Sequence, residues 1–78
     1  MNNEERFFTR LWERVQSKSG MHSAYEVAHE AGLPYDRESV DPIVRNLERQ
    51  KLITTQNSGG FGYRVTIPPQ VEAQLRQS

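Results

Sequence analysis

Ser23-Ala24-Tyr25-Glu26-Val27-Ala28-His29-Glu30-Ala31-Gly32-Leu33 carries its own helix punctuation at both ends. Ser23 and Glu26 have the spacing of a capping box, in which the hydroxyl takes a free backbone N–H and the carboxylate reaches back. Ala24, Val27, Ala28 and Ala31 fall on one narrow face of small residues, which lets another helix cross closely. Gly32 suits the left-handed position just past the helix, with Leu33 folding back over the last turn. A short helix over about residues 23–32 follows from these signals.

The surrounding chain supplies the partners for that helix. Pro34 and Tyr35 form a turn. Val40, Ile43, Val44 and Leu47 then repeat at i, i+3, i+4 and i+7, which predicts an amphipathic third helix over about 37–50. Pro42 constrains its start: the regular helix opens between Arg37 and Ser39, or an earlier turn kinks at the proline. Upstream, Phe7, Phe8, Leu11, Trp12 and Val15 share one face of a first helix over about 4–18. Asn2 or Asn3 caps it, Glu4 and Glu5 suit its first turn, and Gly20 suits its end. Met21 and His22 form a short link, with room for one extended pair of residues.

Downstream, Leu52 to Gln56 and Phe61 to Ile67 are rich in β-branched and aromatic residues around the turn Asn57-Ser58-Gly59-Gly60. Strands are expected over about 52–56 and 61–67. Phe61, Tyr63, Val65 and Ile67 alternate with Gly62, Arg64 and Thr66, so one strand face is buried. Pro68 and Pro69 stop the strand, and Pro69 opens a last helix over about 69–77, with Val71 and Leu75 inward. The expected fold is α+β, mostly α. A three-helix core carries a two-stranded hairpin and a short C-terminal helix, in a single domain over residues 1–78.

Composition narrows the function. A chain of 78 residues with 35% apolar content buries a modest core, and a partner covering apolar surface would help it. The absence of cysteine leaves no disulfide framework and no thiolate metal site. No apolar run approaches the ~18 residues of a membrane span, and the first residues lack a signal-peptide core. A cytoplasmic location is the expectation. Ten basic residues balance ten acidic ones. Any affinity for nucleic acid must therefore come from local clustering of Arg and Lys.

The order of elements resembles the winged helix-turn-helix family of bacterial regulators. Residues 23–33 resemble that family's second helix and turn. Ser39-Val40 through Val44-Arg45-Asn46-Leu47-Glu48, then Lys51-Leu52-Ile53, resemble its recognition helix leading into the wing. Tyr63-Arg64-Val65-Thr66 before the prolines resembles the wing's return strand in multiple-antibiotic-resistance and phenolic-acid-type regulators. The resemblance covers about residues 4–77 and implies a DNA-binding transcriptional regulator that reads duplex DNA with the third helix. Two features depart from the pattern. Pro34 and Tyr35 lengthen the turn before the third helix, and Asn57 to Gly62 contains no Lys or Arg.

The candidate DNA contacts are Arg37, Ser39, Arg45, Asn46, Arg49, Lys51 and Arg64. Arg and Asn pair with guanine and adenine edges. Asp36, Glu38 and Asp41 stand at the front of the same helix, where they repel phosphate but also suit a helix N-terminus. A solvated face with locally balanced charge has the same spacing. Arg6, Arg10, Arg14 and Lys18 recur every four residues as a second basic stripe on the first helix. Such like charges repel, so an anionic partner would relieve them, while Arg stems lying over Trp12 and Phe8 need none.

Neutral charge, the acidic helix start and the uncharged hairpin tip favour instead a protein-interaction module, and a homodimer through the first and last helices fits either reading. His22 and His29, seven apart without a third ligand, are not a metal site. No cofactor is expected. No nucleophile is paired with a base, so no enzyme is expected.

Overall fold

Three of the helices in the computed structural model, which describes residues 2–57 and 63–77, open on a side chain that accepts a free backbone N–H. Asn2 accepts from Glu5 N at 2.8 Å and starts α1 (Asn3–Ser17). After β1 (His22–Ser23), Ser23 accepts from Glu26 N and starts α2 (Ala24–Glu30). Asp36 accepts from both Ser39 N and Ser39 Oγ and starts α3 (Arg37–Arg49). The strands are β2 (Thr54–Asn57) and β3 (Tyr63–Thr66), and Pro69 opens α4 (Pro69–Gln77). The expected hairpin tip, including Phe61 and Ser58 to Gly60, lies outside the described residues.

Helix ends are as chemically specific as the starts. Gly32 has φ +77°, donates to His29 O, and Leu33 N donates to Ala28 O, which together close α2. Lys51 plays the same part after α3, with φ 63° and donation to Glu48 O, while Leu52 N reaches Leu47 O. A lysine thus occupies a left-handed position that usually goes to glycine. Leu52 is spent on this cap, which is why β2 begins at Thr54 and not at residue 52. Pro42 lies inside α3 on its exposed side, so Glu38 C=O has no intrahelical donor from that residue.

The sheet differs from the expected two-stranded hairpin. Its order is β1-β3-β2, all antiparallel, with His22 opposite Val65 and Thr55 opposite Val65 on the other side. The extended pair before α2 covers the second edge of β3, whose N–H and C=O groups would otherwise be unpaired. Thr66 Oγ1 donates to Gly20 O at 2.7 Å and fastens the loop before β1 to the same strand.

The core joins Phe7, Leu11 and Val15 of α1 with Ala24, Val27 and Ala28 of α2 and Val40, Ile43, Val44 and Leu47 of α3. Leu33, Ile53, Val65 and Ile67 complete it. Burying each large side chain contributes about 1.5–3 kcal/mol. The small face of α2 is fully buried at Ala24 and Ala28, as its close crossing requires. Helix α4 buries no residue completely. Val71 and Leu75 pack half-buried on the core, and the Arg76 guanidinium lies 5.3 Å over the Trp12 ring. Among the described residues no helix is long and apolar enough to cross a membrane.

Candidate functional site

The buried stripe of α3 turns its opposite face to solvent, and that face carries most of the candidate residues. Glu38, Asp41, Pro42, Arg45, Asn46 and Arg49 line a shallow groove of about 440 Å³ along it. The acidic residues of this helix are held by other parts of the chain. Asp36 is the N-cap, and the hydrogen bond from Ser39 holds its carboxyl below the usual range. Asp41 Oδ1 accepts from the Tyr63 hydroxyl on β3, and its Oδ2 lies 3.9 Å from Arg37 Nε. Glu48 Oε2 accepts from Thr55 Oγ1 on β2 at 2.7 Å. Two carboxylates of α3 therefore fasten the sheet to the helix.

Tyr63 is the centre of that connection. Its ring stacks on Tyr25 of α2 at 6.0 Å between centroids. Burial pushes its phenol well above the ordinary range, and the hydrogen bond to Asp41 adds to the shift. Helices α2 and α3 and strand β3 thus meet at one phenol.

The candidate contacts separate into distinct sets. Arg45 and Arg49 are exposed, one turn apart, and among the described residues neither pairs with a carboxylate. Asn46 donates to Glu4 Oε2 at 3.0 Å, and Gln50 to Glu4 Oε1, so Asn46 ties α3 to α1. Ser39 is engaged in the cap. Arg37 keeps 81% of its side chain exposed. Lys51 is exposed at the end of α3 and lines a different groove with Thr54 and Thr55. Arg64 stands opposite Ser23 and Gln56 on the outer face of the sheet, in a groove shared with α1.

That second groove, about 640 Å³, contains most of the α1 basic stripe. Arg10 and Arg14 are not left to an external anion. Glu30 of α2 sits between them, accepting from Arg10 Nε at 2.8 Å and from Arg14 Nη1 at 2.9 Å. The hydrogen bond from Arg10 holds the Glu30 carboxyl below the usual range, and the same bond raises the Arg10 guanidinium. Arg14 Nε also donates to Nδ1 of the buried His22, whose Nε2 lies 2.7 Å from Lys18 O. Those partners assign the hydrogen to Nε2. The repulsion along the stripe is thus relieved within the chain. Arg6 and Lys18 remain exposed.

Glu4, Glu30 and Tyr63 have structural roles that the sequence reading did not assign to them. The acceptors Glu4 and Glu30 lie 16 to 46 residues from their partners, beyond any local periodicity. The longer turn before α3 puts Tyr35 on the surface at 57% exposure, where it meets His29 with ring centroids 4.6 Å apart. No protein-family model, curated protein or solved structure matches this chain.

Proposed function

We propose that this chain is a winged-helix module that binds double-stranded DNA through the exposed face of α3, without catalysis or cofactor, as part of transcriptional regulation in the cytoplasm. The observation that carries the reading is the state of the charges on α3. Arg45 and Arg49 project one turn apart with no carboxylate partner among the described residues, while Asp41 and Glu48 are bonded to β3 and β2. Free guanidinium groups on an exposed helix are what phosphate oxygens and guanine edges accept from. Arg37 and Lys51 extend the same cationic set toward either end of the helix. Asn46 and Ser39 have internal partners, so base recognition by this face falls to the arginines.

A protein partner is the second reading, favoured by the zero net charge and by the exposed Tyr35. The test is fluorescence anisotropy of labelled duplex DNA titrated with the chain at several salt concentrations. With about four cations engaged, the slope of log affinity against log salt is expected near −4, and removing one cation lowers its magnitude by about 1. Arg37→Ala and Lys51→Ala should each show that loss, and Arg45→Ala and Arg49→Ala should each weaken binding. Absence of binding at low salt would overturn the DNA reading and leave the protein partner.

A further inference from the structure

Glu38, Pro42, Arg45 and Arg49 lie at i, i+4, i+7 and i+11 along α3, which makes them a single stripe on one side of the helix. All four are exposed, and all four line the groove on that face. The spacing four, three, four reads the same from either end. The charges do not: the acid stands at the front of the helix and the bases at the back. We propose that two copies of this chain associate by laying α3 antiparallel on α3 across a twofold axis, with Glu38 of each copy opposite Arg49 of the other.

The register follows from the symmetry. A twofold axis makes each contact reciprocal. Centred between Pro42 and Arg45, it sets Glu38 against Arg49 twice and Pro42 against the aliphatic stem of Arg45 twice. Glu38 and Arg49 are about 16 Å apart along the axis of one helix, a span of three turns. A parallel arrangement would put Glu38 against Glu38 and Arg49 against Arg49, and repulsion disfavours it. The groove on α3 gives the second helix somewhere to lie. Neither Glu38 nor Arg49 pairs with an opposite charge inside its own chain among the described residues. The arrangement also differs from a dimer through α1 and α4, whose Trp12, Val71 and Leu75 already pack within one chain.

The face buried in this pair includes Arg45 and Arg49. Self-association and DNA binding on α3 would therefore exclude each other, and the paired form would be a store of inactive chains. The association itself needs no DNA and is tested without it.

Sedimentation equilibrium of the full chain over a wide concentration range, at low salt, provides the test. The expected result is a reversible monomer–dimer equilibrium that weakens as salt rises. Glu38→Arg and Arg49→Glu should each weaken it at least tenfold, because each places two like-charged contacts across the axis. An equimolar mixture of the two variants should associate as the parent does, since both contacts in the mixed pair regain opposite charge. Circular dichroism melts check that each variant folds. If one does not, Glu38→Gln and Arg49→Gln give a smaller loss in the same direction, without a reversed charge. A parent chain that stays monomeric at low salt would overturn the proposal. So would folded variants that dimerise like the parent, or a mixture that fails to restore association.

Discussion

Tyr63→Phe isolates one oxygen atom and with it the tie between β3 and α3. The Phe ring retains the stacking on Tyr25, so the loss is confined to the hydrogen bond donated to Asp41. A hydrogen bond to a charged group contributes about 1.5–3 kcal/mol. Asp41 keeps 26% of its side chain exposed, so water replaces part of what the phenol supplied. The expected cost is then about 1–2 kcal/mol, around the lower limit of that range. In a domain of this size it lowers the melting temperature by about 5–12 °C. Thermal denaturation followed by circular dichroism measures it, in a cycle with Asp41→Ala and the double variant. Because both single changes remove the same contact, the double variant should lose about 1 kcal/mol less than their sum.

The phenol's raised pKa adds a pH signature. A group raised in the folded state contributes stability that is complete below its unfolded value, near 10, and is lost as pH climbs above it. The parent should weaken above about pH 10 more steeply than Tyr63→Phe. Melts within about 2 °C of each other at neutral pH, or strict additivity in the cycle, would refute the coupling of β3 to α3 through this bond.

Glu30→Gln tests the bridge between α1 and α2. The carboxyl is lowered by its hydrogen bond from Arg10, so the stability it contributes is present above the unfolded value near 4.3 and is lost as pH falls through the folded one. The variant should melt below the parent at pH 7, and the gap should close on acidification below about pH 4, as read by melts across pH. At the helix ends, Lys51→Gly should raise the stability by about 1 kcal/mol by removing the cost of a side chain at φ 63°, measured by urea denaturation. Gly32→Ala should lower it by about 1–2 kcal/mol in the same assay. Beyond its chain neighbours no atom lies within 4 Å of the added methyl, so that cost is backbone strain and not collision.

The parts of the fold that are legible in the sequence are those whose chemistry is local. Asn2, Ser23 and Asp36 cap helices through N–H groups three residues away, and Gly32 closes α2 through bonds within five residues. Such signals survive in any window of a few residues. The end of α3 is harder to read because Lys51 does the work of a glycine, at a cost that no spacing rule registers. Strand β1 is two residues long and has no period at all; only the unpaired edge of β3 gives it a place. The stripe Arg6, Arg10, Arg14, Lys18 is visible as periodicity, but its acceptor Glu30 sits on another helix. Reading it as a free cationic surface thus fails at Arg10 and Arg14. The same limit applies to Asn46, whose partner Glu4 is 42 residues away.

Zero net charge is a weak guide to the field around α3, because Coulomb energy depends on where each charge is held. A carboxylate that accepts from a tyrosine or threonine hydroxyl keeps its full charge. What changes is its direction: Asp41 and Glu48 are drawn toward β3 and β2, while Arg45 and Arg49 extend into solvent. At physiological ionic strength the interaction between exposed charges decays over about 8 Å. An anion approaching the tips of the arginines is therefore attracted by the nearest charges more than it is repelled by those turned to the sheet. Glu38 is the exception, exposed on the same stripe and without an ion-pair partner among the described residues. Removing it should strengthen binding of an anionic partner, and reversing it should strengthen it further. The same carboxylate is the one that a second copy would need for pairing with Arg49. Glu38→Arg thus moves the two processes in opposite directions, weaker self-association and tighter DNA binding. A partner that used this face through hydrophobic contact alone would respond to neither charge.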